Sequence, residues 1–239
     1  TVSYFSRNLD DKYAFESGNS PIPPMPYSHK AQKYRHKPYL HYLASYIQHS
    51  FTPQIFLNPS RSKSIFVNDN NEILTFVRET FEFMMKSKMS ENISISILPF
   101  AEFKIFHSAF GRWSNGILGF SINASTKQIF VRQSHLDELM LVIGHEIGHV
   151  LTDTLPNKHD EEAKAFAFSV EWARTIKQHN IANLSLSIKE DIDFAPARNG
   201  LHDVAFGFVD FMLKKGKKAI ELHNDLVKNY VSVFDAIYL

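Results

Sequence analysis

The chain has 239 residues, of which 44% are hydrophobic and 21% are charged, and this composition excludes a disordered protein. Its length is enough for one sizeable domain or two small ones. The formal net charge of +1 argues against broad nucleic-acid binding, which usually needs a strongly basic face. Cysteine is absent, which excludes disulfides, thiolate zinc sites and a cysteine nucleophile, so a metal would have to be held by His, Asp or Glu.

The sequence carries no sign of a membrane span or a targeting segment. No stretch approaches the roughly 18 uninterrupted apolar residues of a transmembrane helix. The N-terminus, which begins at Thr1, has neither the basic start nor the apolar run of a signal peptide. We therefore expect a soluble protein, with a cytoplasmic location favoured over a secreted one.

Residues 1–60 are predicted to form an irregular N-terminal arm rich in proline and aromatic residues. The segment 17–39, "SGNSPIPPMPYSHKAQKYRHKPY", holds five of the ten prolines, which break helices and favour extended chain. We interpret the arm as a surface wrap or an inhibitory segment in preference to a nucleic-acid-binding arm. Residues 61–239 are predicted to form one domain with an α/β part at 61–155 and a helical part at 156–239.

The α/β part begins with a helix and continues with a small sheet. Between Asn71 and Lys88, apolar residues recur with the spacing of a helix that packs on one face. "NISISILPF" then alternates isoleucine with polar residues, which is typical of a half-buried strand. "GILGFSI" and "QIFVRQ" are two more predicted strands, separated by the turn-rich "NASTK".

Four helices are predicted after the sheet. The first carries "VIGHEIGHVL"; Ser134 and Asp137 form a plausible capping box at its start, and Pro156 ends its pattern. The others are expected at about His159–His179 with Asn157 and Asp160 as caps, over "LHDVAFGFVDFMLKK" up to Gly216, and at about Lys217–Tyr230. The predicted fold class is α+β, with a small mixed sheet packed on the first of these helices and a helical C-terminal lobe.

The segment "VIGHEIGHVL", residues 142–151, places three ionisable side chains in an apolar helix. Burial of such groups is costly unless they are paired, hydrogen-bonded or bound to a metal. His145 and His149 are four residues apart and so lie on one face of the helix, a spacing that suits two imidazoles binding one zinc ion. Glu146 lies about 100° round the helix, where it can reach water without binding the metal. The pattern H-E-x-x-H is the metalloprotease signature.

A catalytic zinc site usually has three protein ligands, and the acidic cluster Asp160, Glu161 and Glu162 offers the third. The expected solvent face of this helix comprises Lys164, Glu171, Arg174, Thr175, Lys177 and Gln178. The opposite stripe comprises Ala165, Phe166, Ser169, Ala173 and Ile176. Glu162 falls within about 20° of the middle of that stripe and is the preferred ligand. Glu161, on a flank, is its rival because helix starts shift by a residue or two. Alternatively, Glu162 only stabilises the helix N-terminus.

These residues resemble the zincin metallopeptidases, and among them the gluzincins, whose third ligand is a glutamate on a later helix. "HEIGH" followed by "EEAKAFAF" also resembles the E-x-x-A-x-x-F-A pattern of the ImmA/IrrE type of bacterial metallopeptidase. Read from Glu162 the pattern gives Ala165, Phe168 and Ser169, and read from Asp160 it gives Ala163, Phe166 and Ala167.

A shorter resemblance concerns His202. "NGLHDVAFGF" is similar to the segment of thermolysin-like enzymes that supplies a histidine to the transition state. A surface or helix-capping role is the alternative for this residue.

The resemblance implies a zinc-dependent peptide hydrolase acting on a peptide or protein substrate. Zinc held by His145, His149 and Glu162 would lower the pKa of its bound water towards about 7. Glu146 would act as the general base, and His202 would help to stabilise the oxyanion. The strand near 116–122 or the one near 128–132 would pair with an extended substrate. The alternative is a regulatory or interaction module that keeps the fold but has little or no activity, as the N-terminal arm suggests.

Overall fold

A computed structural model describes residues 51–192 and 201–235 of the chain. Most of the N-terminal arm expected at residues 1–60 therefore lies outside the described residues. The predicted α+β class is confirmed, since the described residues combine helices with small sheets. None of the helices in these two ranges is long and apolar enough to cross a membrane.

The described residues form six helices and five strands. The helices are α1 (Asn71–Met85), α2 (Phe100–Ser108), α3 (Leu136–Val150), α4 (Lys158–His179), α5 (Leu201–Lys214) and α6 (Ala219–Val227). The strands are β1 (Phe66–Val67), β2 (Ile93–Leu98), β3 (Gly119–Asn123), β4 (Lys127–Arg132) and β5 (Ser134–His135).

Strands β2, β4 and β3 form the main sheet, in that order, with β4 in the centre. β4 runs parallel to β2 and antiparallel to β3, so β3 forms one edge of this sheet. The isoleucines that alternate along β2 are buried, as the sequence predicted. A second ladder pairs the short strands β1 and β5, which the sequence did not predict.

Helix α2, between β2 and β3, was also missed. Only two of its residues, Phe103 and His107, are buried, and large apolar side chains such as Ile105 and Phe106 are exposed. With apolar residues on more than one side, the segment lacks the one-sided periodicity by which the other helices were recognised.

Helix α3 lies between the main sheet and α4 and is the centre of the hydrophobic core. All its residues except Glu138 and His149 are buried. Two glycines let α4 approach closely. A Cβ atom at Gly144 would lie 2.4 Å from the Trp172 ring, and one at Gly148 would lie 2.9 Å from the Cα atom of Ala165. Any larger residue at these positions would push the two helices apart.

The start of α3 differs from the predicted capping box. Ser134 lies in β5, and His135 is the N-cap residue without a side-chain cap hydrogen bond. Asp137 is buried and instead accepts hydrogen bonds from Arg61 Nε at 2.5 Å and Ser64 Oγ at 2.6 Å. The capping prediction was wrong, because the Ser134 hydroxyl donates to the Glu138 side chain and the Asp137 carboxylate binds Arg61 and Ser64.

The start of α4 agrees in part with the prediction. Asn157 is the N-cap residue, and its side chain accepts a hydrogen bond from the His159 backbone N–H. Asp160 does not share in this cap. It accepts hydrogen bonds from the Val233 backbone N–H at 2.7 Å and from the Ser232 hydroxyl, and so it anchors the C-terminal segment of the described chain.

The close packing of α3 and α4 can be tested by Gly144→Ala. The added methyl group would overlap the ring of Trp172, which is fully buried and donates a hydrogen bond to the Met140 carbonyl. We expect a loss of about 1–3 kcal/mol in the free energy of unfolding, measured by urea denaturation. Gly207→Ala in α5 is the control, because a Cβ atom there meets nothing within 4 Å. Equal stabilities of the two variants would contradict the packing argument.

A second prediction concerns pH and His223, through which α6 packs on α4. Its Nδ1 lies 3.1 Å from the Lys164 carbonyl oxygen, and burial lowers the pKa of His223 from 6.5 to about 4. As pH falls from 6.5 to 4, His223 therefore becomes protonated in the unfolded chain but stays neutral in the folded protein. The free energy of unfolding decreases over this pH range. The wild type should lose up to about 3 kcal/mol more than His223→Gln across the window. Parallel pH profiles of unfolding free energy would contradict this expectation.

Candidate metal centre

The side chains of His145, His149 and Glu162 meet at one point between α3 and α4. The two Nε2 atoms are 3.3 Å apart, and Glu162 Oε2 lies 3.6 Å from that of His145 and 3.7 Å from that of His149. Among the described residues, these three offer ligand atoms that all lie within 4.8 Å of one another. The structure thus brings together the three residues that the sequence proposed as ligands.

Hydrogen bonding sets the tautomer of His145. The Ser169 hydroxyl donates its single proton to the Ala165 carbonyl at 2.8 Å, so towards His145 Nδ1, at 3.2 Å, its oxygen can only accept. Nδ1 therefore carries a hydrogen, and the Nε2 lone pair points at the cluster. Burial lowers the pKa of His145 to about 4, which keeps the imidazole neutral at pH 7. A neutral imidazole that presents an Nε2 lone pair is the form that binds a metal ion.

His149 presents the same nitrogen to the cluster but has a charged partner on its other side. Its Nδ1 donates a hydrogen bond to Glu161 Oε1 at 2.8 Å. Burial would lower the pKa of His149, but the carboxylates of Glu162 and Glu161 outweigh it and raise this pKa to about 9. In the metal-free protein, the proton on His149 thus helps to neutralise the negative charge of Glu161 and Glu162. A bound cation would displace this proton and neutralise the charge in its place.

The two rival glutamates have different positions. Glu162 directs Oε2 towards the imidazoles, whereas Glu161 binds the outer nitrogen of His149 and accepts from the Leu155 N–H with its other oxygen. Burial would raise the pKa of Glu162, but the nearby His202 and His149 hold it well below its usual value. Glu162 therefore offers an anionic oxygen to the cluster at neutral pH.

One carboxylate oxygen of Glu162 lies buried beside the imidazoles without a hydrogen bond. Glu162 Oε2 is buried and makes no hydrogen bond, and the same is true of His202 Nδ1, although the two atoms are 3.0 Å apart. A buried anionic oxygen without a hydrogen bond is costly. A divalent ion between the imidazoles and this oxygen would satisfy it, and the donor set of two imidazoles and one carboxylate suits zinc.

Glu146 lies on the sheet-facing side of the same helix. Burial raises its pKa to about 7, although His149 and a hydrogen bond with Ser121 oppose the shift. Strand β3 approaches closely here, because a Cβ atom at Gly119 would lie 3.1 Å from Glu146 Oε1. The carboxyl group is thus held against the edge strand of the sheet, beside the three clustered side chains.

His202 lies in the first turn of α5 and belongs to the same site. Its Nδ1 faces Glu162 Oε2, and its ring centroid is 6.3 Å from that of His145. Its side chain is only 15% exposed. His202 therefore lies beside the cluster, and not on the surface, which was the alternative that the sequence left open.

Two residues of the site were missed from the sequence. The ring of Phe51 stacks on that of His145, with centroids 4.2 Å apart, and so covers one face of the imidazole. Lys164 was expected on the solvent face, and this is wrong, because its side chain is 0% exposed. Its ammonium binds Glu161 Oε2 at 2.9 Å, which explains how it is tolerated in the interior. The spacing of Glu161 and Lys164, three residues apart on a helix, was the available signal.

Comparisons of the chain with protein-family models, with curated proteins and with solved structures gave no match. The functional argument therefore depends on the geometry and chemistry of the site itself.

Zinc binding is the direct test of this cluster. We expect the wild type to bind about one zinc ion per chain, measured as metal content by mass spectrometry. Glu162→Gln should weaken binding by more than the roughly 10- to 100-fold that loss of an outer partner costs, because a neutral amide replaces an anionic ligand. Glu82→Gln, at an exposed position of α1, is the matched control. Equal zinc content in the two variants would exclude Glu162 as a ligand.

Proposed function

We propose that the protein is a zinc-dependent peptide hydrolase of the zincin type. The observation that supports this proposal is that three side chains able to bind a metal ion meet beside the buried carboxyl group of Glu146, which lies in α3. His145, His149 and Glu162 offer their ligand atoms within 4.8 Å of one another, and Glu146 follows His145 directly. The small sheet before α3 and the helices after it support the zincin-type architecture.

The ligand set would be His145, His149 and Glu162. A zinc ion held there would supply Lewis acidity, which polarises a substrate carbonyl and makes a water molecule easier to deprotonate. Two neutral imidazoles and one carboxylate leave this ion a net positive charge. Three protein ligands also leave a position open, as in catalytic rather than structural zinc sites.

Glu146 would act as the general base. A pKa of about 7 places its proton affinity close to neutral pH, where a carboxyl group can both accept and return a proton. It would take the proton of the attacking water and pass it to the nitrogen of the leaving amine. Its hydrogen bond with Ser121 of β3 would help to orient the carboxyl group during this transfer.

His202 would bind the oxyanion that forms as the carbonyl is attacked. It lies next to Glu162, and a hydrogen bond donated by the imidazole would stabilise the negative charge. His202 lies in α5, so this hydrogen-bond donor would come from the helical part of the chain.

An extended substrate would pair with β3. The sequence left two strands open for this role, and these are now β3 and β4. β4 is less suitable, because both its edges already pair with other strands. No strand among the described residues pairs with the outer edge of β3, and this edge would offer backbone hydrogen bonds to a peptide in extended conformation. Since β3 passes close to Glu146 at Gly119, a peptide bound there would pass the proposed catalytic carboxyl group.

The test is Glu146→Gln, assayed on a library of quenched fluorescent peptides with zinc-loaded protein. The variant should lose about 10²- to 10⁴-fold in kcat, because the amide cannot take a proton from water, while it retains zinc. Glu82→Gln should match the wild type. Full turnover by Glu146→Gln would contradict the mechanism. Zinc binding by the wild type without hydrolysis of any peptide would instead favour a regulatory module.

A further inference from the structure

The outer side of His149 contacts a buried ion pair that the proposed reaction does not use. Glu161 and Lys164, both on α4, face each other at 2.9 Å and are 7% and 0% exposed. We propose that this pair is a positioning device for the metal centre, which fixes the ring of His149 and makes it the stronger of the two imidazole ligands. The proposal rests on the metal site of the proposed function and adds to it the residues that orient one ligand.

Glu161 is held by three groups at once. Oε1 accepts the hydrogen bond from His149 Nδ1 at 2.8 Å, and Oε2 accepts from the Leu155 backbone N–H at 2.7 Å as well as binding Lys164. With both oxygens engaged, the carboxylate cannot turn towards the cluster and compete with Glu162. It can only hold the hydrogen on Nδ1, which leaves the Nε2 lone pair of His149 for a metal ion.

Lys164 connects the same carboxylate to the end of the ligand helix. Its Nζ donates to the carbonyl oxygens of His149 at 3.3 Å and Asp153 at 3.2 Å, and to the Thr152 hydroxyl at 3.2 Å. Carbonyl groups at a helix C-terminus attract a cation. His149 is therefore held twice by the pair, through its ring by Glu161 and through its backbone by Lys164.

The other histidine has no such support. His145 Nδ1 meets the neutral hydroxyl of Ser169 at 3.2 Å, which is a longer contact without charge. A hydrogen bond to a carboxylate is stronger than one to a neutral hydroxyl, and it gives the ring more electron density. The two ligands of one helix thus differ in their outer partners, and this difference allows a matched comparison.

Stability and metal affinity should respond differently to loss of the pair. A buried ion pair contributes little net stability, so its joint replacement by neutral side chains of similar volume is often tolerated. The double variant Glu161→Gln with Lys164→Met removes both charges together and leaves neither one unpaired. If the pair had only a structural role, the double variant would keep the zinc affinity of the folded protein, whatever its unfolding free energy.

The experiment measures the zinc dissociation constant by competition with a chromophoric chelator at fixed pH. The double variant should bind zinc about 10- to 100-fold more weakly, Ser169→Ala should lose less, and Glu82→Gln should match the wild type. The imidazole Nδ1–H of His149 in the zinc-loaded protein provides a second measurement by NMR. Its proton resonance should lie at lower field in the wild type than in the double variant, because the carboxylate is gone.

Glu161→Asp covers the case in which the double variant does not fold. It keeps a charge for Lys164 but withdraws the carboxylate from His149 by one methylene, and it should weaken zinc binding in the same direction. Unchanged affinity and an unchanged Nδ1–H resonance in a folded variant would overturn the positioning role while leaving the metal site intact. A wild type that binds no zinc would overturn both this inference and the proposed function.

Discussion

The close contact between α3 and α4 is the constraint on which the rest of the structure depends. Gly144 and Gly148 have no side chains to separate the helices, so Trp172 and the backbone at Ala165 lie directly against α3. At a normal helix separation of about 8–10 Å, side chains fill the interface. Here the missing Cβ atoms bring the first turns of α4 within reach of the two histidines. The glycines of the motif are therefore as necessary to the cluster as its ionisable residues.

The same contact concentrates polar groups in an otherwise apolar interior. Three of them have a hydrogen-bonding partner: Ser169 for His145, Glu161 for His149, and Ser121 for Glu146. Glu162 Oε2 makes no hydrogen bond, and neither does the adjacent His202 Nδ1. A buried anionic oxygen without a hydrogen bond, at the meeting point of two imidazoles, supports a cation as its partner.

The sequence predicted those features that follow from spacing along one helix. The H-E-x-x-H pattern gave His145, Glu146 and His149, and the apolar stripe of α4 selected Glu162 over its neighbours. The burial of Lys164 could not be predicted by the same rule. Helix periodicity places a charged residue on the solvent face, unless its ion-pair partner and the carbonyl groups around it are already known. Phe51 reaches His145 from far along the chain, and such contacts leave no local pattern. The β1–β5 ladder, only two residues on each side, is too short to show alternation.

The connection between α3 and α4 bears on how the site would assemble. All three proposed ligands belong to these two helices, and only the short segment 151–157 joins them. Bringing the ends of so short a loop together costs little chain entropy. The three proposed ligands therefore come together when α3 and α4 pack on each other, and neither α5 nor α6 contributes one of them. A metal ion bound there would link the two helices directly and so add to the stability of the hairpin.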